Sequence, residues 1–160
     1  MVQRQQYEPQ HNCRSSSMWW LRYALILTTM ISGLVQADDT PQIILKMRSV
    51  LESGKLTDGT RLGVGRIVFH EEHSGFQVWS DSVKSTDQPH RYVLAGDQDI
   101  DHKLQVRLEG DGWQSDVKEG KGIILVTSDD MAKFDVKADG EQTVVADRYQ
   151  LQINGMALLP

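Results

Sequence analysis

The sequence predicts an all-β sandwich, on three observations. Apolar residues recur at period two in short runs. Gly, Asp, Asn and Ser separate those runs. No stretch beyond residue 37 holds a helical period for three turns. The expected strands are 43–51, 62–70, 76–80, 91–95, 103–108, 123–127, 133–138 and 149–153. In 43–51, Ile43, Leu45, Met47 and Leu51 share one face, and Lys46 and Arg48 lie on the other. Ser53-Gly54 and Thr57-Asp58-Gly59 supply turn chemistry. Residues 71–75 form a tight link between the second and third runs. Residues 103–108 alternate cleanly until Gly110-Asp111-Gly112 breaks the pattern. Residues 123–127 are apolar almost throughout, as a strand buried on both faces would be. About eight short strands at this spacing read as one sandwich.

The N-terminal segment reads as an export signal. Arg22 precedes residues 24–35, an uncharged apolar run, and Val35-Gln36-Ala37 leads directly into Asp38-Asp39. A cation, an apolar run of about a dozen residues and small side chains at −3 and −1 make a signal peptide cleaved after Ala37. A membrane anchor needs roughly 20 apolar residues, more than this run holds. Residues 1–17 are polar, so they are either a long n-region or lie upstream of a start at Met18. Residues 38–160 then form one domain. Residues 1–37 hold Arg4, Arg14, Arg22 and Glu8, which leaves 14 of the 17 cations and 21 of the 22 anions, a formal charge of −7. Such a balance argues against a nucleic-acid partner, whose phosphates demand excess Lys and Arg. The single cysteine, Cys13, falls in the removed segment, so the domain has no disulfide, thiol chemistry or Cys-based metal site.

Nothing in the remainder points to catalysis, and no cofactor is expected. His70-Glu71-Glu72-His73 spaces its histidines three apart at a strand link, whereas the zinc-protease pattern needs four on a helix. A solvated turn is the expected reading. His90 and His102 stand alone beside strands and are expected at the surface. Asp129-Asp130 reads as a turn. No G-x-S-x-G and no phosphate-binding glycine loop occurs. Trp113, in Gly110-Asp111-Gly112-Trp113, reads first as a Trp folded back over the core, and it is also the candidate exposed binding aromatic. Asp147-Arg148-Tyr149 resembles the tyrosine corner of immunoglobulin-like sandwiches, or Tyr149 is an ordinary half-buried strand residue. Beyond 149–153, Asn154-Gly155 either turns a hairpin or lies within one strand running on to the end. In the second case the sandwich lacks its closing strand.

Residues 65–79, Gly-Arg-Ile-Val-Phe-His-Glu-Glu-His-Ser-Gly-Phe-Gln-Val-Trp, resemble the invasin-type minor subunits of Afa/Dr adhesins and aggregative adherence fimbriae. Further likeness lies in Arg91-Tyr92-Val93, Gly110-Asp111-Gly112-Trp113, Gly120-Lys121-Gly122, Phe134-Asp135-Val136, Ala138-Asp139-Gly140 and the segment 149–160. It runs in order through essentially the whole of 38–160. The resemblance implies an incomplete immunoglobulin-like sandwich lacking its last strand, completed by donor-strand complementation. It implies a periplasmic fimbrial chaperone, an outer-membrane usher and the major fimbrial subunit as partners, with a host-cell receptor and display on the cell surface. Members of that family carry a cysteine pair joining the second strand to the last. Here those positions fall at Phe69 and Ala157.

The expectation is therefore a non-enzymatic minor subunit at the tip of a chaperone–usher fibre, contributing to adhesion or uptake. A free secreted or periplasmic binding module, for instance for carbohydrate, is the alternative. The donor groove is expected between Leu45 and Met47 on one wall and Leu151 and Ile153 on the other. Between Ala37 and Ile43 only five polar residues remain. They hold none of the apolar anchors that a donated strand needs, so this subunit is expected to accept a strand and not to give one.

Overall fold

The computed structural model describes residues 40–48, 51–85 and 87–160; the signal-peptide expectation lies outside them. The described residues contain strands and no helix. Six strands form one antiparallel sheet in the order β1 (Gln42–Met47), β3 (Arg61–Val68), β10 (Met131–Ala138), β7 (Lys103–Glu109), β6 (Arg91–Ala95) and β5 (Val83–Lys84). Four form the second sheet in the order β12 (Ile153–Leu158), β4 (Gly75–Ser80), β9 (Ile123–Val126) and β8 (Gln114–Ser115). A small ribbon pairs β2 (Gly54–Leu56) with β11 (Gln142–Val144). The expected all-β sandwich is what forms.

The core is what the period-two runs dictate. The six-stranded sheet contributes Leu62, Ile67, Tyr92, Leu94, Leu104, Val106, Leu108, Phe134 and Val136, and the other contributes Phe76, Val78 and Ile123, all buried. Tyr92 is fully enclosed, yet its hydroxyl accepts the Ser80 amide at 3.2 Å, so one hydrogen bond ties the sheets together through the core. Opposite Phe134 in the register stands Gly65, and a Cβ there would overlap the Phe134 ring. Two large residues cannot share that position, so the pair is one large and one absent side chain.

Several boundaries differ from expectation. The first strand stops at Met47, and Leu51 instead makes an isolated antiparallel bridge to Asp147. The last strand is Ile153–Leu158, continuous through Gly155, and not 149–153; Tyr149 makes only a bridge to Gly96. The hairpin reading of Asn154-Gly155 is thereby overturned. The strand expected to be buried on both faces is not β9, whose Val126 is 80% exposed, but β4. The cause is the 116–122 loop, which folds over the outer face of β4. There the Gln77 amide donates to Asp116 Oδ2 at 2.7 Å and to the Lys121 carbonyl at 3.1 Å. Lys121 Nζ lies 3.7 Å from the centre of a Trp79 ring, a cation–π contact.

The tyrosine corner is present. The Tyr149 hydroxyl donates to the Val145 carbonyl four residues upstream, at 2.9 Å, just before the chain enters β12. Gly65→Ala should destabilise the domain by about 1–3 kcal/mol, because the added methyl overpacks a closed core. The measurement is the denaturation midpoint, and an unchanged midpoint would mean that the Phe134 ring is free to move aside.

Candidate functional site

The candidate site lies where the two sheets meet without joining. β1 pairs only with β3, and β12 pairs only with β4, so each is the outermost strand of its sheet. Strand pleating sends Ile43, Leu45 and Met47 inward from β1, where they are half-buried against the core. From the other side Leu151, Ile153 and Ala157 pack against the same core. The edges meet at two points. One is the Leu51–Asp147 bridge, and the other is Gly155, where a Cβ would come within 2.7 Å of Ile43 Cδ1. Continued along both chains, that antiparallel register sets Leu45 opposite Ile153 and Met47 opposite Leu151.

No ladder of backbone hydrogen bonds joins β1 to β12 among the described residues. The sandwich therefore carries a half-buried apolar seam flanked by two unpaired strand edges. Leu45, Met47, Leu151 and Ile153 are partly buried along this seam and pack against the core. Sequence reasoning missed Ile43, and it missed Gly155 as the point where the strands come nearest. The signal for Gly155 was present, since a glycine inside a strand marks close approach.

The end of the seam is held firmly. Ser74 donates its amide to the Leu158 carbonyl at 2.7 Å, and its hydroxyl reaches the Leu158 and Leu159 carbonyls at 3.0 and 3.3 Å. Asn154 donates to Asp81 at 2.6 Å. At the other end, the Asp147 side chain is fully enclosed. It accepts hydrogen bonds from the amides of Gln98 (3.1 Å), Asp99 (3.3 Å) and Arg148 (2.6 Å), and from the His102 ring at 2.9 Å. Burial alone would raise its pKa. The His102 bond and the three amides outweigh burial and hold it at about 2.

The histidines depart from expectation. His70 is exposed, 3.0 Å from Asp130, as a solvated turn allows. His73 is only 7% exposed, wedged between the Phe69 and Phe76 rings, with its nitrogens 2.7 Å from the Glu71 carbonyl and 3.1 Å from the Asp129 carbonyl. It pins the 71–74 link to the 127–130 loop, so this link is half structural and not simply solvated. His90 and His102 are half-buried and bonded to Ser115 and Asp147. Trp113 is half-buried, as its folded-back reading expects and its exposed-aromatic reading does not. Its indole donates to the Lys133 carbonyl at 2.7 Å and its ring stands edge-on to Phe134. One side of it still lines a shallow cleft of about 470 Å³ with Glu109, Asp135 and Lys137. No group of three His, Cys, Asp or Glu among the described residues is arranged to hold a metal ion.

A family model described as the Enterobacteria AfaD invasin protein matches residues 52–155. The chain belongs to the AfaD invasin family. The Escherichia coli protein AfaD is 34% identical over 137 residues, covering 84% of this chain and 89% of that protein. Among solved structures, the Salmonella SafD adhesin superposes with a TM-score of 0.71 at 43% identity, covering 74% of this chain and 84% of that one. The minor tip subunit HdaB of the E. coli Hda pilus gives 0.70 at 28% identity, covering 76% and 85%. At the two positions where the resemblance places a family cysteine pair, Phe69 is buried in the core and Ala157 packs against it.

Asp147 sets a pH dependence whose sign follows from its depressed pKa. Its stabilising contribution is complete above the ordinary carboxylate value of 3.8 and is lost as pH falls from there toward about 2. Thermal midpoints should therefore drop in this window. Asp147→Asn should lower stability at neutral pH and flatten that part of the profile. A variant curve parallel to the parent's would remove Asp147 from the account.

Proposed function

We propose that this chain is a non-enzymatic minor subunit that sits at the tip of a surface fimbria and contributes to adhesion to, or uptake by, host cells. Membership of the AfaD family and likeness to a pilus tip subunit support the reading. The observation that carries it is the pair of unpaired edges that β1 and β12 leave over one core. A strand from another protein, admitted as β1 and β12 part, would hydrogen-bond to both edges and seat its alternate side chains against Ile43, Leu45, Met47, Leu151 and Ile153. About five apolar side chains at roughly 1.5–3 kcal/mol each give on the order of 10 kcal/mol gross. That is comparable with the whole stability of a domain, about 5–15 kcal/mol. In transit a periplasmic chaperone fills the seam, an outer-membrane usher exports the subunit, and the major fimbrial subunit then supplies the permanent strand.

The tip position follows from what β1 is already doing. A shaft subunit donates an alternating apolar segment to its neighbour. Here the first such segment after Ala37 is β1, which is paired along its whole length with β3 and packs three side chains on this domain's own core. Removing it would cost this domain about what the neighbour gained. The subunit accepts a strand and keeps its own.

Two outcomes test this reading. Residues 38–160 expressed without a chaperone should aggregate or unfold non-cooperatively, and a tethered donor peptide should restore a monomer. A monodisperse, cooperatively unfolding monomer with no donor would sink the idea. Immunogold labelling of fimbriae should mark fibre ends in low copy, and label spread evenly along the shafts would overturn the tip position.

A further inference from the structure

The outer face of the six-stranded sheet carries an excess of cations. By strand pleating it carries Lys46 from β1, Arg61 and Arg66 from β3, Lys133 and Lys137 from β10, Lys103 and Arg107 from β7, and Arg91 from β6. From the strands only the carboxylates Asp135 and Glu109 face the same way, and Asp58 and Asp139 reach this face from its loops. Eight of the 14 cations beyond residue 37 thus gather on one face of a domain whose formal charge is −7.

Half of them are neutralised locally. Arg61 pairs with Asp135 at 3.0 Å, and Lys137 with Glu109 at 2.9 Å. Arg91 pairs with Asp139 at 3.1 Å, and Arg107 is bound by Asp58, Glu109 and Asp139. Lys46, Arg66 and Lys133 form no ion pair or side-chain hydrogen bond among the described residues. Arg66 and Lys133 stand directly opposite each other in the β3–β10 register, and Lys46 is opposite Val64, two residues along on the same face. Like charges placed directly across a ladder repel. A chain with surplus carboxylates has placed none beside this pair except Asp135, which Arg61 already holds.

We propose that this face binds a sulfated polysaccharide of the host surface. A linear polyanion touches only the face it lies on and is not repelled by the rest of an acidic domain, whereas an extended anionic membrane would be. The apolar residues between the cations, Ile44 and Val64, are only 36% and 39% exposed on a rigid sheet, so nothing here inserts into lipid. An acidic protein fits less well, because the strands bring no aromatic anchor to this face and Trp113 at its margin is held onto Phe134 and the Lys133 carbonyl. The shallow groove bounded by Ile44, Lys46, Val64, Arg66 and Lys133 matches a flexible chain held by charge rather than a small molecule held by enclosure. A strand added beside β1 would lie in the plane of the sheet and leave this face free, so the site does not depend on the proposed assembly mode.

The test uses heparin as the probe and the exported protein purified as the cell assembles it. Binding should weaken steeply with salt. Arg66→Glu with Lys133→Glu should lose about tenfold or more in affinity. Lys55→Glu with Lys118→Glu, the same change in net charge on exposed residues elsewhere, should keep the parent affinity. If the double reversal fails to fold, Lys46→Gln and Lys133→Gln must each weaken binding measurably. No heparin binding, equal loss in both pairs, or unchanged affinity in the Gln variants would overturn the proposal. So would equal binding to desulfated heparin, to poly-glutamate or to phosphatidylserine vesicles.

Discussion

Two sheets that share one core but leave a seam unpaired set the terms for the rest of this domain. Along β1 and β12 the side chains behave as sandwich interior, while the backbone edges behave as surface. Those demands conflict. Apolar side chains favour closure, and unpaired amides and carbonyls need either water or another strand. A partner strand satisfies both at once, which is why such a seam suits permanent assembly.

The surrounding structure keeps the seam from collapsing or fraying. One end is fixed by the Asp147 carboxylate, the Tyr149 hydroxyl and the Leu51 bridge; Asn154 ties the start of β12 to Asp81, and Ser74 holds its far end at Leu158. These are short-range, polar and directional contacts. They position the strands without supplying the apolar surface that the seam itself lacks. The buried Tyr92–Ser80 bond and the Gly65–Phe134 fit keep the sheets aligned behind it.

Charge is distributed by the same pleat that builds the core. Alternation that sends Ile67, Phe134 and Leu108 inward sends Arg66, Lys133 and Arg107 outward. The acidic excess is carried mainly by loops and turns, such as 97–101, 110–119 and 129–130. A domain that is acidic by composition thereby presents one basic face, because strands and loops draw on different parts of the sequence.

The sandwich class, most strands, the turn at Thr57-Asp58-Gly59 and the inward face that carries Ile43, Leu45 and Met47 were legible in the sequence. Period-two alternation is local, and burial follows it directly. The tyrosine corner was legible only as one of two readings, because a motif names a residue and not the carbonyl that it reaches. What tertiary structure decided was less local. It placed the two-sided burial at β4 instead of β9, through a loop closing over Gln77. It buried His73 between two rings, folded Trp113 back onto Phe134, and began the last strand at Ile153. Each depends on segments distant in sequence meeting in space, so no window of neighbouring residues contains the contact that determines it.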